Sequence, residues 1–539
     1  MELELSLKEK IVKAFMEIGL TLSVDEIIIE HSKDPSHGDF ATNAALKYSK
    51  QLGKNPRDVA TLVISHLDMD GIEKVEIAGP GFINFFMKND SLQKTVRKII
   101  EEDSNYGRGE KKNFKINVEF VSANPTGDLH VGHARGAAIG DSICRILEYA
   151  GYDVTREYYI NDAGSQILHL AESILARYRE ILGLPFELPE DGYHGEDVIQ
   201  IAKQIYEEIG DKALSMDDPI EYFKLRGVEL ELEKIKNDLK AFGVHFDVFS
   251  SEKKIRENNA IEKEIEYLHN YVYEDGGALL LKTSDFLDDK DRVIRKSNGE
   301  YTYYMPDIVY HVDKMSRGFD QLVVVLGADH HGYINRMKSA MMMHGYKPEV
   351  YEVELIQMVR FIKDGKEYKA SKRTGDAITL RDLCEEVGVD ATRYFFVMRA
   401  ASGHLDFDMS LAVEQSSSNP VYYAQYAHAR LCSVLEQGKD IPLDINASHL
   451  EKESEKALLK HLSAFANVVS DAAKERAPYK ITNYIHDLAE LVHSFYTECR
   501  VIDRDNLDVS ASRLALCKAS QITIKNALTL IGVSAPERM

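Results

Sequence analysis

Residues 115–160 constrain this chain more than any others. A strand-length apolar run, 115–121, leads into Ser122-Ala-Asn-Pro-Thr-Gly-Asp-Leu-His130-Val-Gly-His133, a glycine-bearing turn with two histidines three apart. An amphipathic helix pattern follows, with Ile139, Ile143, Ile146, Leu147 and Ala150 on one face. Gly151 stands where a helix C-terminus favours glycine, and 154–160 reads as the next strand. Strand, crossover helix and strand in this order build a parallel sheet, because parallel pairs need a long connection. A second continuous apolar run, 322–326, suits a strand buried on both faces, and a helix pattern from 333 to 344 follows it. The expected fold is α/β with a parallel sheet.

The chain divides into three units. Residues 1–110 read as a small N-terminal α+β domain, with a helix over 8–18 that aligns Ile11, Phe15 and Ile18, and a glycine-proline turn at 79–81 that feeds a strand at 82–87. The polar stretch 101–112 reads as a linker. Residues 111–405 hold the sheet domain, interrupted over 165–300 by a charge-rich insertion that is mostly helical in pattern (228–242 and 255–271 are the clearest helices). From 406 to 539 the strand signal stops. Helix patterns over 421–436, 453–475, 481–499 and 510–531 read as an all-α bundle.

Composition narrows the class. With 539 residues, 44% hydrophobic and 29% charged, the chain has ample material for several cores. Its net charge of −22 weighs against nucleic acid as a partner, but a local basic groove outweighs the sum. Cys144, Cys384, Cys432, Cys499 and Cys517 form no C-x-x-C pair, which disfavours a zinc knuckle or a disulfide framework and fits a reducing compartment. The first residues are charged at once, unlike a signal peptide, and no apolar run reaches the ~18 residues of a membrane span. The expectation is a cytoplasmic protein with no membrane partner.

The histidine turn has a specific use. Free amides at a helix start, with imidazole N–H groups beside them, converge on one point and suit polyphosphate. His130 and His133 can stabilise the charge that grows on an α-phosphorus under attack. Gly132 has no Cβ, so an adenine ring can approach the backbone. Lys369-Ala-Ser-Lys372-Arg-Thr-Gly375 follows the hairpin signal Asp364-Gly365, and its ammonium groups can close over leaving pyrophosphate. Together the two segments suggest ATP as substrate, with Mg2+ arriving on the nucleotide and needing no dedicated protein cage. Gly327-Ala-Asp-His-His-Gly332 ends the buried strand at the edge where open α/β sheets bind ligands. Asp329, His330 and His331 can contact substrate or ribose there. The sequence around them offers no further ligands, and no metal site is assigned.

His130-Val-Gly-His133 and Lys369-Ala-Ser-Lys372-Arg373, in this order on this sheet, resemble the two signature motifs of class I aminoacyl-tRNA synthetases. Val118-Glu-Phe-Val-Ser-Ala-Asn-Pro-Thr-Gly127, Thr302-Tyr-Tyr-Met-Pro-Asp307, Asp390-Ala-Thr-Arg-Tyr-Phe395, the segment from Asn419 to Arg430 and the terminal Ala535-Pro-Glu-Arg-Met539 carry the resemblance over nearly the whole chain, to the arginyl-tRNA synthetase family in particular. Ala370 departs from the pattern, where the family motif commonly has methionine.

The resemblance implies a Rossmann-like catalytic domain, an N-terminal domain that touches the tRNA, a helical anticodon-binding domain and a monomer. It implies an ATP-dependent ligase that forms arginyl-adenylate and transfers arginine to tRNA. Catalysis is implied for His130, His133, Lys369 and Lys372. ATP contacts are implied for Gly127, His130, Gly132, His133, Gly327, Asp329, His330, Ser371 and Lys372. Arginine contacts are implied for Glu119, Ser122, Asn124, His133, Tyr303 and Asp307, and tRNA contacts for Asn84, Tyr422, Tyr426, Arg430 and Met539.

Some of these roles have a physical counterpart in the spacing. A guanidinium needs planar carboxylate acceptors, because its donors form a fixed fork. Tyr303 and Asp307 are four apart and share a face if helical. Tyr422, Tyr426 and Arg430 also share a face, on which unpaired bases can stack.

Three rival classes fit less well. A cysteinyl-type synthetase needs a zinc site, which the cysteine spacing does not offer. A non-enzymatic RNA-binding relative would lose His130, His133 and Lys372, all of which are present. A small-molecule adenylyltransferase would have no use for the helical C-terminal unit.

Overall fold

A computed structural model of the chain describes residues 2–31, 37–368 and 378–539. Its centre is a five-stranded sheet in the order Tyr351–Ile356, Gln321–Gly327, Lys115–Glu119, Asp153–Ile160, Val248–Ser251. Every neighbouring pair in it is parallel. The strand Lys115–Glu119 is central, with 153–160 on one side and 321–327 on the other. Chain order reverses across it, which opens a crevice beyond the carboxyl ends of strands 115–119 and 321–327. The helix Val131–Tyr149 makes the first crossover and is buried along most of its length. Gly151 takes φ +94 just past its end, as its place after the helix pattern predicts.

The region 165–300 is less helical than its pattern suggests. Helices Ser165–Ile181, Glu196–Ile209 and Pro219–Ala241 pack on one another around Leu170, Ile174, Tyr178, Ile201 and Phe223. Val248–Ser251, however, is the edge strand of the main sheet, and Val272–Asp275, Ala278–Leu281 and Arg292–Arg295 form an antiparallel sheet of their own. The edge strand carries serines because they have work inside the sheet: Ser250 Oγ donates to Glu157 Oε1 at 2.6 Å and Ser251 Oγ to Asp162 Oδ2 at 2.5 Å.

The N-terminal unit has a four-stranded antiparallel sheet and a separate core around Ile11, Phe15, Val59, Ile83 and Phe85. The helix Asn89–Glu102, read from sequence as part of that unit, instead contributes Leu92, Val96 and Ile99 to the large core shared by sheet and bundle. Tyr106 completes the junction, its hydroxyl donating to Leu462 O at 2.7 Å.

The C-terminal bundle comprises Pro420–Gln437, Glu453–Ser463, Phe465–Lys474, Tyr479–Glu498 and Leu507–Leu530. The pattern over 453–475 is thus two helices broken at Ala464. Short strand Leu405–Asp408 precedes the bundle and pairs with Val359–Lys363. Bundle and sheet domain are locked together at Arg393. Its guanidinium is fully buried, 2.5 Å from Asp141 Oδ2 on helix 131–149, and donates to Ile531 O and Phe242 O, each at 3.0 Å. Gly532, at φ +66, lies so close to this guanidinium that any Cβ there would collide with it. All five cysteines are unbonded thiols. No described helix is long and apolar enough to cross a membrane.

Candidate active site

The strand 115–119 delivers Glu119 to the crevice, and the chain then turns sharply. Val121 (φ +68) and Ser122 (φ +40) are consecutive non-glycine residues in the left-handed region, which is costly for a β-branched valine. The surroundings hold this turn in place. Ser122 Oγ donates to Glu119 Oε1 at 3.0 Å and accepts the Tyr159 N–H at 3.1 Å, while Tyr158 donates to Ala123 O at 2.7 Å. Asn124 follows, donating to Gln166 Oε1 at 2.6 Å and accepting from Asn161 at 2.8 Å.

His130 caps the 131–149 helix. Its Nδ1 accepts the Gly132 N–H at 3.1 Å, so in the neutral ring the proton sits on Nε2 and is free to donate. The His133 ring stacks on it, with centroids 3.7 Å apart and 25° between planes. Burial lowers the pKa of His130, and burial with the neighbouring His130 brings His133 down to about 4. Both rings are therefore neutral near pH 7. Gly132 makes the stacking possible: a Cβ would stand 2.9 Å from His130 Cε1.

Lys369, Ala370, Ser371 and Lys372 lie outside the described residues. Their flanks are informative. Asp364 (φ +51) and Gly365 (φ +71) form the predicted two-residue hairpin between Val359–Lys363 and Lys366–Glu367. On the far side, Leu380 N–H donates to Leu129 O at 2.7 Å and Val131 N–H to Ile378 O at 3.1 Å. The exit of the lysine segment is thus hydrogen-bonded to the histidine turn on both sides of His130.

Glu119 and Asp307 do come together, but not as a pair of free carboxylates. Lys314 is fully buried and its Nζ lies 2.5 Å from Glu119 Oε2. Asp307 is half-buried on helix Tyr304–Ser316, with the Tyr333 hydroxyl near its carboxyl. Burial raises the Asp307 carboxyl pKa; His311, the Tyr333 hydroxyl and Lys314 oppose that, and Glu119 adds to it. Two carboxylates and one ammonium leave one net negative charge, which matches a single guanidinium. Beneath them Glu157 accepts from Asn117, Ser250, Tyr310 and Arg317, and it lies near Lys314; these cations and hydrogen bonds hold its pKa down to about 2 against burial.

Tyr303 keeps the expected helical relation to Asp307, whose N–H lies 3.4 Å from Tyr303 O. Tyr303 precedes the helix and is 86% exposed, whereas the Tyr333 hydroxyl stands near the Asp307 carboxyl and helps lower its pKa. Lys314 and His311 had a readable signal, since 307, 311 and 314 recur on one helix face. Tyr333 had none, because only the tertiary fold brings its segment to this helix.

Gly327, Asp329 and His330 stand at the carboxyl end of strand 321–327, with Asp329 and His330 exposed and 3.6 Å apart. Among the described residues no group of three or more His, Cys, Asp or Glu could hold a metal ion.

Of the expected RNA-facing residues, Tyr422 and Tyr426 stack with centroids 6.0 Å apart, His493 continues the stack at 5.9 Å, and Arg430 sits 3.8 Å over the Tyr496 ring. Met539 is exposed. Asn84 is not available in this way. It lies 5% exposed on strand Phe82–Met87 of the N-terminal sheet.

The comparisons with known proteins agree with this geometry. Residues 95–398 match the family model for the class I tRNA synthetase (R) catalytic domain, 424–539 the DALR anticodon binding domain, and 2–87 the arginyl tRNA synthetase N-terminal domain. The chain is 51% identical to the arginine--tRNA ligase of Bacillus subtilis (strain 168), over 99% of this chain and 98% of that protein. It is 50% identical to the arginine--tRNA ligase of Anoxybacillus flavithermus (strain DSM 21510 / WK1), over 100% and 99% respectively. The fold superposes on Thermus thermophilus arginyl-tRNA synthetase with a TM-score of 0.79 at 23% identity, covering 100% of both chains. A parallel sheet with capped, neutral histidines at its switch point, a singly negative slot beside them and a helical C-terminal bundle, matched from end to end by such relatives, mean that this chain belongs to the arginyl-tRNA synthetase family of class I aminoacyl-tRNA synthetases.

Proposed function

We propose that the chain joins arginine to its cognate tRNA in two steps. ATP, entering as its magnesium complex, lies along the histidine turn. A carboxylate oxygen of arginine attacks the α-phosphorus, the bond to the bridging oxygen of the β-phosphate breaks, and pyrophosphate leaves. The 2′-hydroxyl of the terminal tRNA adenosine then attacks the acyl carbon of arginyl-adenylate, and AMP leaves as the ester forms. Catalysis here is positioning and charge stabilisation, with no protein nucleophile. His130 and His133 donate as neutral imidazoles, and Lys369 and Lys372 meet the departing pyrophosphate. Asn124 Oδ1 keeps a lone pair for the α-amino group after accepting from Asn161.

Asp307 carries the choice of amino acid. It is the half-buried carboxylate of the slot that no lysine neutralises directly, while Lys314 engages Glu119. A guanidinium completes that charge pattern, and a neutral side chain of similar length leaves Asp307 unpaired in a desolvated site. For the tRNA, the stacked Tyr422, Tyr426 and His493 on the bundle provide a platform for unpaired bases, with Arg430 four residues further along the same helix.

Pyrophosphate exchange with each of the twenty amino acids, with and without tRNA, tests this reading. Exchange with arginine alone supports it, and exchange with any other amino acid at comparable efficiency overturns it.

A further inference from the structure

The helix Pro219–Ala241 belongs to two cores at once. Its first half supplies Phe223 and Leu230 to the core of the helical insertion, and its second half supplies Ile235 and Leu239 to the core beneath the main sheet. On one face of that second half stand Lys234 and Asp238, four residues apart. Lys234 Nζ lies 2.6 Å from Asp128 Oδ1, inside the histidine turn between Gly127 and Leu129. Asp238 Oδ1 accepts from Arg381 Nη2 at 2.6 Å and Nε at 3.2 Å, and Arg381 is the second residue of the helix that follows the lysine segment. The end of the helix is fixed as well: Phe242 O accepts from Arg393 and Gly243 O from Arg145, each at 3.0 Å.

One helix thus grips the histidine turn and the helix that follows the lysine segment by one ion pair each, and the chain on either side of His130 is also bonded to Ile378 and Leu380 at the start of that following helix. We propose that Lys234 and Asp238 are positioning residues for nucleotide binding, holding the histidine turn and the exit of the lysine segment in register from the insertion helix. This rests on the reading of those segments as the ATP site.

Three features separate this role from ordinary surface pairing. Asp238 is largely buried, and the two pairs share one rigid element. One turn before Lys234, Glu231 is fully buried on the same face, with neither carboxylate oxygen hydrogen-bonded among the described residues. That face therefore carries ionisable groups at a depth where charge is costly, with Asp197 of helix 196–209 and Asp128 near Glu231 as well.

The test uses the full-length protein in tRNA-supported pyrophosphate exchange, with Lys234→Gln, Lys234→Arg and Asp238→Asn. The KM for ATP should rise about tenfold in Lys234→Gln and in Asp238→Asn, the scale of a misplaced binding loop, while the KM for arginine stays within about twofold. Lys234→Arg should restore the ATP value. Wild-type KM for ATP in both neutral variants overturns the proposal, as does a parallel loss in both substrates together with a lowered thermal midpoint. If the wild type itself exchanges no pyrophosphate, it is the reading of the site that fails.

Discussion

Lys314 Nζ and Glu119 Oε2 lie 2.5 Å apart under the substrate crevice, both buried, on a helix and a strand that only the fold brings together. This pair sets the charge of the slot. It also makes the slot dependent on a lysine that need not touch substrate.

Removing the lysine leaves Glu119 buried and unpaired. Lys314→Met should therefore destabilise the protein by about 3–5 kcal/mol, the usual cost of breaking a buried pair from one side. Chemical denaturation followed at the sheet domain measures it. A loss under about 1 kcal/mol would show the pair to be dispensable.

The stacked histidines predict a pH dependence. The pKa of His133 is about 4 in the fold against an ordinary 6.5, so the unfolded chain binds its proton more readily. The stability owed to its neutral form is complete above 6.5 and is lost as the pH falls towards 4. The thermal midpoint should drop over that window, and His133→Asn should flatten the drop. Histidine NMR should show His133 titrating near 4; titration near 6.5 would contradict the stacked, buried geometry.

Glu231 has the opposite sign. Burial raises its carboxyl pKa to about 7 from an ordinary 4.5, with Lys234 opposing and Asp197, Asp128 and Asp238 assisting. The folded state holds that proton more tightly than the unfolded state. Its contribution is complete below 4.5 and is lost as the pH rises through 7. Glu231→Gln, which cannot ionise, should gain about 2–3 kcal/mol relative to wild type between pH 5 and pH 8. Denaturation midpoints at the two pH values measure the difference, and a pH-independent gap would place Glu231 in water.

How much of this was legible in the sequence follows from what is local. The β-turn-α unit around His130 was readable because cap, turn and period are written within one stretch, and the Asp364-Gly365 hairpin for the same reason. The strand Val248–Ser251 was not, because it is short and half serine, and its serines are explained only by Glu157 and Asp162 on other segments. The Gly276-Gly277 turn between strands 272–275 and 278–281 was a hairpin signal hidden inside a charge-rich region. Asn84 is implied by the resemblance as a tRNA contact, yet it lies only 5% exposed on the strand Phe82–Met87. In the site, the family resemblance names Glu119 and Asp307 as arginine contacts, but their joint charge is not legible, since it depends on Lys314, which only the fold brings to Glu119.

The central claim is that Asp307 accepts the guanidinium of the amino acid. The measurement is tRNA-supported pyrophosphate exchange by Asp307→Asn, with the KM values for arginine and for ATP determined side by side. Loss of a charge-assisted bond of about 2–3 kcal/mol should raise the KM for arginine about 30- to 150-fold and leave that for ATP within about twofold. Because burial raises the Asp307 carboxyl pKa, the wild-type KM for arginine should also begin to climb at a higher pH than an ordinary aspartate would allow. An unchanged KM for arginine in the variant would contradict the account.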